Sequence, residues 1–120
     1  MKRAIQRRLR QPGLTAANVA KSIGISERYV HKLLARSGYR FRDYLIGRRL
    51  DGIARELKDP AKAHLPIGTI AFDWGFSDLS HFTRRFSPRF ACRPRDWRND
   101  TSMGMYWWPA PRRTRLLINR

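Results

Sequence analysis

The sequence predicts an all-α fold in which two helix-turn-helix subdomains are joined by a linker helix. Three observations lead to this prediction. Apolar residues recur at helical spacing along most of the chain, and no stretch alternates strictly between apolar and polar residues as a strand would. A helix–glycine–helix pattern occurs twice. Lys and Arg number 26 against 9 Asp and Glu, so the net charge is +17 and a polyanionic partner is expected.

The first subdomain is predicted over residues 1–40. Ile5 and Leu9 lie four positions apart among basic residues, which indicates a short amphipathic helix over residues 1–11. Thr15 can cap a second helix and Ser26 a third, because the side-chain oxygen of either residue can accept a hydrogen bond from the first turn. These helices form the first helix-turn-helix.

The linker helix is predicted over residues 41–59, where apolar residues continue at helical spacing. Gly47 and Gly52 fall inside it, and each weakens a helix by about 1 kcal/mol relative to Ala. We therefore expect that packing on both sides of this helix stabilises it.

The second subdomain is predicted over residues 60–98. A connector over residues 60–66 precedes a helix that ends near Trp74. Ser77 is expected to cap the next helix, and Pro94 to begin a short last turn. Residues 99–120 form a basic, aromatic tail with two open interpretations. The tail could be a contact for RNA polymerase or another protein, or a loosely ordered or helical extension packed on the domain.

The two glycine-containing units align with an offset of 51 residues, as from Gly24 to Gly75. The aligned pairs are Ala20 with Ala71, Gly24 with Gly75, Ser26 with Ser77, and Glu27 with Asp78. One residue later the register slips, so that Val30 matches Phe82. A small Ala allows two helices to approach closely, and Gly allows the positive φ of a tight turn. The pattern therefore predicts a duplicated helix-turn-helix, whose second helix enters the major groove of DNA.

The segment GFSDLSHFTRRF, residues 75–86, resembles the signature of the DNA-binding domain of the AraC/XylS family of bacterial transcription regulators. The resemblance extends over about residues 5–98. It implies two tandem, homeodomain-like helix-turn-helix subdomains on one face of a promoter site in double-stranded DNA. It also implies that the two recognition helices lie in successive major-groove segments, about 34 Å apart.

The resemblance also implies which residues contact DNA. The residues expected to face bases are Arg28, His31 and Lys32 on the first recognition helix, and Leu79, Ser80, His81 and Arg84 on the second. The residues expected to meet phosphates, or only water, are Arg36, Arg42, Arg48, Arg85 and Arg89. By periodicity, the predicted core residues of the two helices are Tyr29, Val30, Leu33, Leu34, Phe82 and Phe86.

The sequence departs from the family pattern near the end of the second unit. Family members usually carry a glycine after the aromatic residue that follows the second recognition helix, and here Ala91 follows Phe90. Arg93 stands where a small polar residue usually precedes the following proline. The connector over residues 60–66 is also longer than usual.

Other function classes find little support in the sequence. No catalytic motif is recognisable, and the three histidines and the single cysteine, Cys92, lack the spacing of a shared metal site, so no enzyme and no cofactor are predicted. No apolar run reaches the ~20 residues that span a bilayer, and a lone cysteine fits the reducing cytoplasm.

Two alternatives stay open. Most AraC/XylS relatives carry an additional effector-binding or dimerisation domain, and no small-molecule effector site is expected in this chain. It is therefore interpreted as a stand-alone regulator or as a fragment of a larger, effector-responsive one. The charge would also allow a nonspecific basic protein that coats nucleic acid.

Overall fold

The computed structural model describes residues 1–100, which form seven α-helices and one 3₁₀ turn and contain no strand. In chain order the elements are α1 (Lys2–Arg7), α2 (Ala16–Ile23), α3 (Glu27–Arg36), α4 (Phe41–Leu57), the 3₁₀ turn (Pro60–Lys62), α5 (Ile67–Asp73), α6 (Leu79–Phe90) and α7 (Pro94–Asn99). The all-α prediction is confirmed. Within this part of the chain no helix combines the length and apolarity needed to cross a membrane. Both interpretations of the tail concern residues 101–120 and so lie outside the described residues.

The first hydrophobic core lies between α1, α2, α3 and the first turns of α4. Ile5, Val19 and Val30 are fully buried at its centre. Thr15 caps α2 as expected: its Oγ1 accepts from the Asn18 amide at 3.1 Å, and Asn18 Oδ1 accepts from the Thr15 amide at 3.3 Å. The cap stabilises the first turn of α2, and the buried face of the helix packs against α3. The first helix is shorter than predicted, ending at Arg7.

The second core is built around the aromatic side chains of α6. Phe82, Phe86 and Phe90 follow one another at four-residue spacing, so that they lie along one helix face and are almost fully buried. Trp97 of α7 packs on Phe86 and Phe90, and its Nε1 donates to the carbonyl of Ala54 at 2.8 Å. The last short helix is thereby attached to the linker helix.

The linker helix α4 contributes buried residues to both cores. A Cβ on Gly52 would lie 2.2 Å from the ring of Trp74, and one on Gly47 would lie 3.1 Å from Nη1 of Arg89. Both glycines therefore lie where another element packs closely against α4. This agrees with the expectation that packing compensates for their low helix propensity.

The two turns share a hydrogen-bonding pattern at their start. The amide of Ile25 donates to the carbonyl of Ala20 at 3.1 Å, and the amide of Phe76 donates to the carbonyl of Ala71 at 3.2 Å. The glycine that precedes each donor has a positive φ, 74° in the first turn and 94° in the second. As far as these two glycines and the residues after them, the 51-residue offset seen in the sequence also matches equivalent positions in the structure.

The predicted cap of α6 is wrong by one residue. Ser26 caps α3 by accepting from the Tyr29 amide at 3.0 Å. In the second unit Asp78, and not Ser77, is the cap, and its Oδ1 accepts from the amides of Ser80 and His81. The cap follows the turn glycine by two residues in the first unit and by three in the second. Ser77 is therefore the inserted position, and the register slip precedes the cap.

Candidate nucleic-acid interface

Helix α3 has one buried face and one strongly basic exposed face. Val30 and Leu34 are fully buried against the first core. Arg28, Lys32 and Arg36 are exposed, and their four-residue spacing places them along one side of the helix. Three predicted DNA contacts therefore share a surface.

Tyr29 was expected in the core, and this expectation is wrong. Its side chain is 42% exposed. Because Tyr29 directly precedes Val30, it lies about 100° around the helix from the buried face. It adds an aromatic side chain to the accessible surface of α3, beside Arg28. Leu33, also predicted in the core, is only half-buried.

Helix α6 begins with the residues expected to face bases. Leu79, Ser80 and Arg84 are exposed. Ser80 and Arg84 lie on the side away from the buried phenylalanines, whereas Leu79 lies on the same side as Phe86, seven residues further along the helix. Leu79 is 44% exposed and rests on Gly68, where a Cβ would come within 3.2 Å of its Cδ1. A large apolar side chain is thus held at the surface, at the first turn of α6.

Thr83 was not singled out from the sequence, although it shares this surface. It is exposed and lies four residues after Leu79 and one before Arg84. The sequence could have indicated Thr83, because it lies four residues after Leu79 and so on the same side of the helix as a residue that was already expected to face bases. Its hydroxyl and methyl groups are suited to base-edge contacts in the major groove.

His81 occupies a more enclosed position than its neighbours on α6. It is half-buried, and its ring lies 5.7 Å from that of Phe76 at an interplanar angle of 60°. Burial lowers the pKa of His81 below its ordinary value, and the nearby cations Arg42, Arg85 and Arg84 lower it further. The imidazole is therefore predominantly neutral near pH 7, with one nitrogen that donates and one that accepts.

A cleft of about 820 Å³ separates the two helix-turn-helix units. Its walls include His31 from α3, Arg42 from the first turn of α4, and His81 from α6. The structure thus brings together three predicted contact residues from three helices. Arg40, the residue before α4, also lines this cleft and was not selected from the sequence. The sequence offered little reason to select Arg40, because it is one of 26 Lys and Arg residues and no motif distinguishes it.

Several predicted phosphate contacts are engaged with acidic side chains. Arg85 Nη2 lies 3.2 Å from Oδ1 of Asp43. Arg48 donates to Asp51, and Arg89 Nε lies 2.8 Å from Oδ1 of the same residue. These arginines do not line the cleft, which includes Arg42 instead. Among residues 1–100 no cluster of three or more His, Cys, Asp or Glu side chains could hold a metal ion.

Comparison with known proteins gives consistent matches. A family model described as a helix-turn-helix domain matches residues 19–100. The chain is 34% identical over 98 residues to the transcriptional activator RhrA of Rhizobium meliloti (strain 1021), with 82% of this chain and 31% of that protein aligned. It is 31% identical over 100 residues to the transcriptional activator NphR of Rhodococcus sp., with 83% and 29% aligned. The chain spans less than a third of either relative.

A solved structure, described as a protein of unknown function from Listeria innocua, resembles the fold with a TM-score of 0.69. The superposition covers 81% of this chain and 90% of that one, at 22% sequence identity. At this identity the likeness supports the fold alone.

Proposed function

Since the chain belongs to the AraC-type helix-turn-helix family of transcription regulators, we propose that it reads a bipartite site in duplex DNA with α3 and α6. DNA-binding regulation of transcription follows from the family and its relatives. The proposal adds sequence-specific reading by both helices, in successive segments of the major groove. It also places the protein in the bacterial cytoplasm, where the promoter DNA is.

The observation that carries the proposal is the cleft shared by the two units. His31 of α3 and His81 of α6 both line it, so the recognition helices border one opening and not opposite sides of the molecule. Two readers that border one opening can engage one face of a duplex. The net charge of +17 supplies attraction to the phosphates of the same duplex.

The exposed side chains suit base-edge contacts. Arg28, Lys32 and Arg84 can donate to O6 and N7 of guanine, and an arginine can do so with two bonds. Leu79 offers an apolar contact for a thymine methyl group, while Ser80 and the neutral imidazole of His81 can donate or accept. We assign base reading to these residues together with His31.

We assign phosphate contacts to Arg36, Arg42, Arg48 and Arg85. Arg36 and Arg42 are exposed and can reach the backbone directly. Arg85 would exchange its surface ion pair with Asp43 for a phosphate, which is a small loss because exposed ion pairs contribute at most about 1 kcal/mol. Arg48 would leave its bond to Asp51, whose carboxylate keeps the bonds from Arg89.

The two relatives described above are named as transcriptional activators, and we propose activation for this chain as well. Activation would require a contact with RNA polymerase when the protein is bound at the promoter. A reporter gene placed behind a promoter that carries the protein's DNA site, once that site is known from the selection described next, would measure this. Reporter output should rise when the protein is expressed. A fall would identify a repressor.

The experiment that tests the proposal is selection from a random duplex library at about 150 mM salt, followed by sequencing of the bound pool. Two conserved half-sites about one helical turn apart are expected. Enrichment of one half-site would mean that one unit alone reads bases. A pool without enrichment would instead support a nonspecific coating protein, because a reader prefers its site by ~10³–10⁷-fold.

A further inference from the structure

Arg49 is a buried arginine that connects three separate segments of the chain. It belongs to the linker helix α4 and is only 5% exposed. Its Nε donates to the carbonyl of Leu9 at 2.8 Å, and its Nη2 donates to the carbonyl of Gln11 at 2.6 Å. Its Nη1 donates to the carbonyl of Gly75 at 3.4 Å. One side chain thus bonds to the segment that leads into the first helix-turn-helix and to the turn of the second.

The surroundings of Arg49 are shaped to hold its guanidinium in one position. A Cβ on Gly75 would lie 2.7 Å from Cζ of Arg49, so only glycine lets the turn approach this closely. Burial lowers the pKa of Arg49, but an arginine remains protonated in proteins. A planar cation with five donors can bond to carbonyls in several directions, which the single ammonium of lysine does less well.

Arg10 makes a second connection beside the first. Its guanidinium pairs with Glu56 of α4 at 2.6 Å and with Asp73 of α5 at 2.5 Å. It also stacks over the ring of Trp74 at 4.0 Å, and Trp74 packs against both hydrophobic cores. Arg10 lies between Leu9 and Gln11, whose carbonyls bond to Arg49. The same segment is therefore tied to the second unit by two guanidinium groups.

The position of these contacts has a consequence for DNA reading. The segment around Arg10 leads into α2 and α3, and Gly75 leads into α6. We propose that Arg49, supported by Arg10, sets the distance and orientation between the recognition helices and thereby selects the spacing of the two half-sites. Arg49 is a positioning residue in this proposal and touches no base. The inference rests on the proposed two-helix reading of DNA.

The proposal predicts a steep dependence on spacing. Each added base pair moves a half-site by about 3.4 Å and turns it by about 35° around the duplex axis. A protein with fixed recognition helices cannot follow this displacement, so one helix loses its base contacts. We expect the natural chain to lose at least about tenfold in affinity when one base pair is added or removed, because the two halves no longer bind together.

The test measures affinity for a set of duplexes carrying the selected half-sites at spacings from two base pairs shorter to two longer. The first variant is Arg49→Met, which keeps a long side chain but removes every hydrogen-bond donor of the guanidinium. The second is Arg10→Ala, which removes the partly exposed guanidinium that pairs with Glu56 and Asp73. Arg7→Ala is the matched control, because Arg7 is exposed on the neighbouring helix α1 and the change in charge is the same. We expect the loss of affinity caused by one added or removed base pair to fall below about threefold in Arg49→Met. It should be intermediate in Arg10→Ala and remain at least about tenfold in Arg7→Ala.

A second measurement needs no DNA. Spin labels at Lys21→Cys on α2 and Thr83→Cys on α6, in a Cys92→Ser background, report the distance between the units. The distribution of distances should broaden in Arg49→Met and stay narrow in the Arg7→Ala control. This readout separates loss of positioning from loss of DNA contacts.

The outcomes distinguish the two proposals. If the natural chain selects no bipartite site, the proposed function fails before spacing can be compared. If the natural chain is steeply spacing-dependent and Arg49→Met is weaker by the same factor at every spacing, the residue only stabilises the fold and the inference is overturned. If Arg49→Met does not fold, the affinities of Arg10→Ala at the different spacings test the inference instead. If Arg10→Ala loses as much affinity per base pair of altered spacing as the natural chain, the inference is overturned.

Discussion

Asp51 and Arg89 form a bidentate ion pair that joins the linker helix α4 to helix α6. Nε of Arg89 lies 2.8 Å from Oδ1 of Asp51, and Nη2 lies 3.0 Å from Oδ2. The Asp51 carboxylate is buried, and Arg48 of the same helix also donates to it. The orientation of α6 on α4 thus depends on one buried acidic side chain in a strongly basic protein.

Replacing Asp51 should therefore destabilise the fold. We expect Asp51→Ala to lower the free energy of unfolding by about 3–5 kcal/mol, because the largely buried Arg89 guanidinium loses its counter-ion. Urea denaturation followed by circular dichroism measures the change. Asp43→Ala is the matched control: its pair with Arg85 is more exposed and should contribute less than about 1 kcal/mol. Equal losses in the two variants would contradict the structural role of the buried pair.

The sequence was sufficient to predict most of the helices, because their signals are local. Caps such as Thr15 and Ser26, the glycine turns and the apolar spacing all act within a few residues. The cap of α6 was misassigned because Ser77 and Asp78 are both good caps. The choice between them depends on the length of a turn that closes against other elements.

The role of Arg49 could not be predicted in the same way. Its partners are backbone carbonyls, which carry no sequence signal, and they lie 26 to 40 positions away in the chain. Among 26 Lys and Arg residues nothing local distinguishes one destined for burial. Periodicity likewise placed Tyr29 in the core, since it does not define how wide the buried face of α3 is.

Ala91 offers a test of the departure from the family pattern. It caps the C-terminus of α6 with φ 62°, and it is the one residue other than glycine with a positive φ in residues 1–100. A side chain in this region is strained, so we expect Ala91→Gly to raise the free energy of unfolding by about 0.5–1 kcal/mol. Ala35→Gly, at an exposed position inside α3, is the same change in ordinary helical backbone and should lower it by a similar amount. Thermal unfolding of both variants measures this; a loss of stability in Ala91→Gly would show that the left-handed backbone is not strained.

The environment of His81 predicts a pH dependence. Burial first, and then the cations Arg42, Arg85 and Arg84, lower its pKa below the ordinary value of 6.5. The unfolded chain therefore takes up a proton at higher pH than the folded one. The contribution of His81 to stability is complete above about pH 6.5 and is lost as the pH falls through the lowered folded value.

Removing one of these cations should move the titration. We expect the pKa of His81, followed by NMR of the imidazole protons, to rise in Arg42→Gln because one repulsive charge is lost. It should stay below 6.5 in this variant, since burial, the largest cause, remains. Arg36→Gln removes an exposed cation of α3 that does not act on the imidazole of His81, so it should leave the pKa of His81 unchanged. An unaltered pKa in Arg42→Gln would contradict the placement of Arg42 beside the imidazole.

Arg84 tests whether α6 reads bases. It is exposed four residues after Ser80, while its neighbour Arg85 is paired with Asp43. We expect Arg84→Ala to weaken binding to the selected site by about 1–3 kcal/mol and to relax the preference at one base position. Arg3→Ala, an equal loss of charge on α1, should leave the preference at every position intact. Selection from a library randomised within the site measures both variants. If Arg84→Ala weakens binding to all sequences alike, Arg84 neutralises a phosphate, and base reading by α6 must come from its other exposed residues.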